Sequence, residues 1–589
     1  MKYIRIVFVL AVALFVSFAC KPKMSMVEAV KAGDVKAVQY HIKNGEDVNQ
    51  KDAQQIPLLS LAAQQGSAQV VEMLLNAGAV INERDAQGMT ALMRAASLGH
   101  SAATEKLLAA HAEVNERDSK KYMTPLMWAS IAGHSDIAEK LLAANAEVDI
   151  KDDLGNTALM LASRQSQPEV VKVLLAHNAN VNEATPNGDT ALMAASEKGA
   201  TQVAEQLIAA GADINRETFT HKRALSLASS NGQVAMVDLL LAKGADINEK
   251  NLKEITPLMA ASMAGQAEVV KRLLEKGADS NARDAEKRTA LMWASENPKV
   301  EVVTALLNAK EPVDVNAMDN KGNTVILDFS KANDDPETEK IIELLLQAGA
   351  DTNIANADGE IPMHYAASSA NLARVKRFLV AGSDPNKKDN LGETSLHKVS
   401  TSTREEALDV VDALLGAGAD VNATNEKGET PFLASVGGLN TTMLKHLLEK
   451  GADPKKVNKI GISAMHKMAL YREEKTPEVV DLLLQVGVPA DEKNIWGFTP
   501  LILASRYANF PVVEKLLAVK ANPNNVDSTG SSALMLACLG GDVRIIEALL
   551  DAGADIKAKN KQGKTALDMA KKTRTPEVIG AIEKALAAK

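Results

Sequence analysis

Apolar and polar positions alternate along this chain in a long, regular beat. A short block opens with threonine or serine and runs on through small and apolar residues. Examples are Thr90-Ala91-Leu92-Met93, Thr124-Pro125-Leu126-Met127, Thr157-Ala158-Leu159-Met160 and Thr190-Ala191-Leu192-Met193. A second block follows with apolar pairs such as Val170-Val171 and Leu174-Leu175, and a polar Gly-Ala-Asp-x-Asn segment or a close variant closes the period. Apolar spacings of three and four predict helices, so each period predicts a helix pair. Gly99, Gly133 and Gly199 fall where the first helix should break, and Gly211, Gly244 and Gly277 where the second should end, because glycine accepts the left-handed conformation there. The segment after it, such as Asp85 to Met89, predicts a β-turn that projects sideways.

Taking the threonine slot as anchor, copies run from Ile56 and Thr90 to Ser532 and Thr565, and nine of the 15 intervals are 33 residues long. Residues 24–52 lack the opening block but end in Gly45-Glu46-Asp47-Val48-Asn49, which predicts a degenerate first unit capping the rest. Such a period signals a stacked solenoid whose units bury their apolar faces only against neighbours. The anchor hydroxyl is placed to cap the free amides of the first helix. Pro57, Pro125, Pro257, Pro431 and Pro500 fit the first helical position, where no amide hydrogen is needed.

On these motifs the chain resembles ankyrin repeats over residues 24–589. The resemblance implies an all-α solenoid of about 17 helix-turn-helix units with projecting β-hairpins. It also implies a concave face which, with the hairpin tips, holds protein partners. One departure is systematic: the family's histidine after Thr-Pro-Leu is replaced by Met93, Met127, Met160, Met193, Met259, Met292 and Met535, and only His364, His397 and His466 keep the imidazole. A thioether fills such a gap by dispersion. In ankyrin proteins hairpin tips contact partners, which singles out Tyr122 and the pair Trp496 and Phe498 beside Gly497, aromatics being favoured anchors. Arg94, Arg164, Glu197 and Lys198 are expected on the concave side of the first helices, and Trp128 and Trp293 half-buried beside them.

Composition narrows the function. The chain is 46% apolar but only 3% aromatic, which suits close helix stacking better than a deep ligand pocket. The formal charge of −9 argues against a grip on nucleic acid. Residues 557–589 are the basic exception, with nine Lys or Arg against three acids, as a polar cap requires. Gly416-Ala417-Gly418 begins like a dinucleotide fingerprint but ends a helix, and no phosphate loop, His-Glu-x-x-His, Cys-x-x-Cys or Gly-x-Ser-x-Gly occurs. No catalytic residue, cofactor or metal site is therefore expected, and one methionine per repeat spaces sulfurs too widely to share a copper ion. Cys538, in a small-residue slot, is expected to be a buried inert thiol.

The N-terminus adds an address. A basic start, an apolar run from Ile6 to Phe18, and Ala19-Cys20 predict a signal peptide over residues 1–19. It resembles a bacterial lipoprotein signal, with Ser17 where that family usually has leucine, and implies lipid on Cys20. The domain reading is then anchor and linker 20–23, capping unit 24–52, regular repeats 53–319, repeats with longer loops 320–556 and basic cap 557–589. The longer loops, at 332–336, 400–405, 437–441, 472–477 and 506–510, fall mostly between paired helices and are candidate binding elements. The function expected is an exported, lipid-anchored, monomeric and non-enzymatic scaffold for protein partners, facing the periplasm or the cell surface. The alternatives are a soluble periplasmic protector of a redox or stress enzyme, or a secreted effector.

Overall fold

The computed structural model describes residues 24–588, so the predicted signal and Cys20 lie outside the described residues. Among them the chain folds into 34 α-helices arranged as 17 consecutive pairs, with two single 3-10 turns, matching the number of units expected. The pairs belong to two compact units, the first made chiefly of residues up to Val313 and the second chiefly of residues from Asp314 onward.

Nine helix pairs make the first unit, from Met26–Ala32 with Val35–Lys43 to Ala290–Trp293 with Val300–Leu307. The anchors act as expected: the hydroxyls of Thr90, Thr124, Thr157, Thr190, Thr256 and Thr289 each accept a hydrogen bond from the amide three residues on. Pro125 and Pro257 open their helices. Pro57 departs from the expectation by preceding its helix, Leu58–Gln64, as the cap residue. Arg223 likewise starts Ala224–Ser230 without a side-chain cap. Gly99, Gly133 and Gly199 end their helices with left-handed backbone. In the pair Ala91–Leu98 and Ser101–Ala109 the first helix buries Ala91, Leu92, Met93, Ala95 and Ala96, while the second buries one stripe, Ala103, Thr104 and Leu107. The first helices therefore form the interior, and alanine lets them approach closely.

The second unit contains eight pairs, from Val325–Lys331 with Pro336–Gln347 to Ala566–Thr573 with Pro576–Ala587. Its longer connections are used locally. In the first, Asp335 caps Pro336–Gln347 and extends it to 12 residues. Arg374, fully buried, holds that connection through Glu339 at 2.7 Å, Asp334 at 3.1 Å and the Ser330 carbonyl at 2.9 Å. Asn509, also buried, donates from Nδ2 to the carbonyls of Met468 and Ala469, both at 3.2 Å, one repeat back.

Side-chain amides tie repeat to repeat in both units, a device the motif reading did not identify. The asparagine of Gly-Ala-Asp-x-Asn accepts from an amide of the next loop and donates to a carbonyl there. Asn182 bonds Asp213 N–H at 2.8 Å and the Gly211 carbonyl at 3.0 Å, and Asn353 bonds Asp384 N–H at 2.8 Å and the Gly382 carbonyl at 2.9 Å. Asn422, which heads a potential glycosylation triplet, is engaged the same way with Asp453 and Gly451. The projecting arms meet only in isolated bridges, Lys51 with Pro57 and Val526 with Ser532, so among the described residues the hairpins are built from turns and not from strands.

Candidate partner-binding surface

Most projecting turns are organised by one carboxylate or amide, and those at Thr185 and Thr218 by a hydroxyl. Asp85 accepts from Gln87 N–H at 2.7 Å and Met89 N–H at 3.0 Å through Oδ1, and Asn494 does the same for Trp496 and Phe498, both at 3.0 Å. At four of the aspartate turns Oδ2 also holds the side chain four residues after the anchor. Arg94 donates to Asp85 from Nε at 3.0 Å, Trp128 to Asp118 at 3.1 Å and Trp293 to Asp284 at 2.9 Å, and Lys398 pairs with Asp389 at 2.7 Å. Burial by itself would push the Asp389 carboxyl up, but Lys398 and the turn amides outweigh it and hold it below the usual carboxylate range.

This arrangement redistributes the expected contact residues. Arg94 is mostly buried and committed to Asp85, so it is not the free cation expected of a partner-facing residue. Trp128 is half-buried as expected, and Trp293 is buried outright. Arg164 and Glu197 are half-buried on their first helices, and Lys198 is exposed, with its ammonium 3.7 Å from Glu197. Tyr122 is exposed on its turn and holds left-handed backbone at φ 56°, a conformation that disfavours any side chain. Trp496 is 46% exposed, whereas Phe498 is half-buried with the Arg506 guanidinium 6.0 Å from its ring centre. Tyr122, Arg94, Arg164, Glu197 and Lys198 belong to the first unit, Trp496 and Phe498 to the second.

On the second unit the first-helix face carries a polar cluster absent from the motif reading. Lys398 also pairs with Glu393 at 2.8 Å, Tyr365 donates to Glu360, and the Lys331 ammonium lies 5.0 Å from the Tyr365 ring centre. Burial, then Glu360, push the Tyr365 phenol well up. These groups satisfy one another. Sequence reading also passed over a row of apolar residues on the turn tips, Leu154, Phe219, Leu252, Leu391 and Ile495. The signal was present, since each is a bulky residue in a turn otherwise made of polar ones.

Position three of the first helix shows what the histidine-to-methionine exchange changes. His364, His397 and His466 accept from their anchor amides at 3.0 to 3.2 Å through Nδ1 and donate from Nε2 to carbonyls of Lys387, Glu429 and Phe498, at 3.0, 3.0 and 2.9 Å. Burial pushes all three imidazoles below their usual pKa. Met127 and Met259 keep the first bond through sulfur, at 3.5 and 3.4 Å, but have no hydrogen to donate to the next repeat. Among the described residues no three of His, Cys, Asp and Glu are grouped to hold a metal ion. Cys538 is fully buried, and burial pushes its thiol up to about 12. No helix among the described residues is long and apolar enough to cross a membrane.

Comparison with known proteins places this geometry. A profile described as ankyrin repeats (3 copies) matches residues 26–118, 104–185, 126–218, 178–251, 225–319, 330–425, 431–527 and 507–582, and one described as ankyrin repeats (many copies) matches 404–448. Human B-cell lymphoma 3 protein is 32% identical over 234 residues, covering 38% of this chain and 50% of that protein. A zebrafish putative palmitoyltransferase, ZDHHC13, is 28% identical over 211 residues, covering 35% of this chain and 32% of that one. The chain thus spans half or less of the length of these relatives. The crystal structure of the human ASB11 ankyrin repeat domain aligns at 27% identity over 38% of this chain and 99% of that one, with a TM-score of 0.35. With profile matches running through both units and 17 consecutive helix pairs, the chain belongs to the ankyrin-repeat family.

Proposed function

We propose that this protein is a non-enzymatic scaffold, exported and lipid-anchored through Cys20, that holds protein partners on its turn tips and on the exposed flank of its first helices. The observation that carries this reading is the contrast among its three tryptophans. Trp128 and Trp293 spend their indole hydrogens on Asp118 and Asp284, while Trp496 stands 46% exposed on a tip. A large aromatic left in water at a tip is the kind of anchor that protein interfaces bury. The family membership of every unit supports the same reading, because a chain filled with repeats offers surface in preference to a catalytic cavity.

The test is crosslinking in the native cell followed by capture of the mature protein, comparing wild type with Trp496→Ala and with Arg164→Glu. Loss of the same crosslinked partner from either variant, at unchanged abundance, supports the surface, and full retention by both overturns it. The anchor is tested separately: Cys20→Ser should move the protein from the detergent phase to the aqueous phase, and unchanged partitioning would remove the lipid from the proposal.

A further inference from the structure

Arg164 and Lys198 stand at the far ends of their first helices, where the polar chain leaves each helix. In the second unit the same end turns apolar over three consecutive repeats. Leu470 is 47% exposed there, Tyr507 46%, Leu539 39% and Tyr471 37%. Their helices, Ala464–Leu470, Pro500–Arg506 and Ala533–Gly540, pack side by side, so the four residues form one stripe. Its members are fixed to one another. Asn509 Nδ2 donates to the Ala469 carbonyl at 3.2 Å and to the Tyr471 carbonyl. A Cβ on Gly540 would stand 2.8 Å from the Ser505 carbonyl oxygen, and one on Gly437 would stand 2.6 Å from the Tyr471 hydroxyl. The Arg506 guanidinium lies 5.9 Å from the Tyr507 ring centre.

Positive charge gathers toward the last repeat. Across residues 506–511, 539–544 and 571–577, Arg506, Arg544, Lys571, Lys572 and Arg574 stand against Asp542 and Glu577. Asp542 is already paired with Arg544 at 2.7 Å. Arg506, Lys571, Lys572 and Arg574 are exposed, and among the described residues none of the four is in an ion pair. At the other end of the stripe, across 470–478, Arg472 and Lys475 face Glu473, Glu474 and Glu478, so no cationic excess exists there.

We infer that this stripe holds an acidic segment of a protein partner, laid across the repeats. Its apolar side chains cover Leu470, Tyr471, Tyr507 and Leu539, and its carboxylates meet Arg506, Lys571, Lys572 and Arg574. The inference rests on the scaffold reading and gives the first-helix flank a partner of stated chemistry. Tyrosine, leucine and arginine side by side, with lysine kept to one end, are the composition of a protein interface core and its rim. A bilayer takes up groups that protrude, whereas each of these four is less than half exposed and Tyr471 lies back against Gly437. Unpaired guanidinium and ammonium groups beside such a core select carboxylates, because charge-assisted hydrogen bonds fix both register and sign. First helices about 10 Å apart put Leu470 and Lys572 about 30 Å from each other, a span of about nine extended residues.

The experiment selects displayed random peptides of about ten residues on the full chain. Two variants are compared with wild type, Tyr507→Ser/Leu539→Ser and Arg506→Glu/Lys572→Glu, with far-UV circular dichroism to check folding. All four positions are exposed. Wild type should enrich sequences that join aspartate or glutamate to aromatic or aliphatic residues. A synthetic copy of the leading sequence should bind each variant about tenfold or more weakly. Enrichment of basic or uncharged sequences, no enrichment, or equal affinity for both variants overturns the inference. Binding to phosphatidylglycerol vesicles through Tyr507 and Leu539, with no peptide enriched, would overturn it in favour of a bilayer. Trp496→Ala should select the same peptides as wild type. If Trp496→Ala loses its crosslinked partner in the cell while wild type enriches no peptide, the scaffold reading stands and this inference falls.

Discussion

Three residues after each anchor the chain places mostly methionine or histidine, and at one repeat it places Ser226. The smaller side chain leaves room that Glu249, from the following loop, enters. Its Oε1 accepts from the Ser226 amide at 3.0 Å and from the Ser226 hydroxyl, while buried Oε2 has no hydrogen-bond partner. Burial raises this carboxyl above its usual range, against the Ser226 hydrogen bonds. The folded state therefore prefers the protonated form. That preference contributes fully below the unfolded pKa of about 4.3 and is lost as pH rises through the raised folded value. Glu249→Gln should accordingly stabilise the protein at pH 7 and make no difference near pH 4, read as urea midpoints at both. A gain that is the same at both pH values would mean that the charge is not what costs stability.

Among elements, the contacts that matter run between repeats. Asn353 makes two hydrogen bonds to the next loop, and at roughly 1 kcal/mol each its replacement by alanine should cost about 2 kcal/mol, measured by urea denaturation. The connection before Pro336–Gln347 depends on Arg374, whose guanidinium is buried among Glu339, Asp334 and the Ser330 carbonyl. Removing one partner of a buried pair leaves the others unmet, so Arg374→Ala should cost about 3 kcal/mol and raise amide exchange over residues 331–339. Unchanged exchange there would show that the connection holds without it. The glycine of the turns does related work: at Gly497 φ is +76°, and a Cβ would stand 2.9 Å from the Ser528 amide nitrogen. Only a residue without a side chain satisfies both the backbone and its neighbour.

At the scale of the molecule the two units should answer acid in opposite directions. The second holds His364, His397 and His466, buried and lowered in pKa. The unfolded histidines, at about 6.5, take up protons first, so this contribution is present above that value and lost as pH falls through the lowered folded values. The first unit holds Glu249, whose contribution instead grows as pH falls through its own raised value. Amide exchange corrected for its intrinsic pH dependence should show repeats around residues 361–498 loosening between pH 7.4 and 5.5, while those around 223–255 tighten or hold. Because repeat stability is a sum of nearest-neighbour terms, Asn353→Ala should leave exchange in the first unit unchanged. Loosening throughout would contradict that independence.

The 33-residue beat was sufficient to specify helix pairs, their number, their caps and their interior, because a solenoid's units meet only neighbours like themselves and local pattern carries nearly all the information. Anchor threonines, capping glycines and buried methionines could all be located by spacing alone. What spacing could not supply was which polar groups find each other across repeats. The Asn182 and Asn353 clamps, the claim of Asp85 on Arg94 and the entry of Glu249 beside Ser226 join residues 9 to 31 positions apart. Such pairs exist only once the stack has formed, since a hydrogen bond requires its partners within about 3 Å and sequence fixes only their order. Exposure was decided in the same way: Arg94 and Phe219 are both plausible surface residues in one dimension, and packing covered the first and left the second in water.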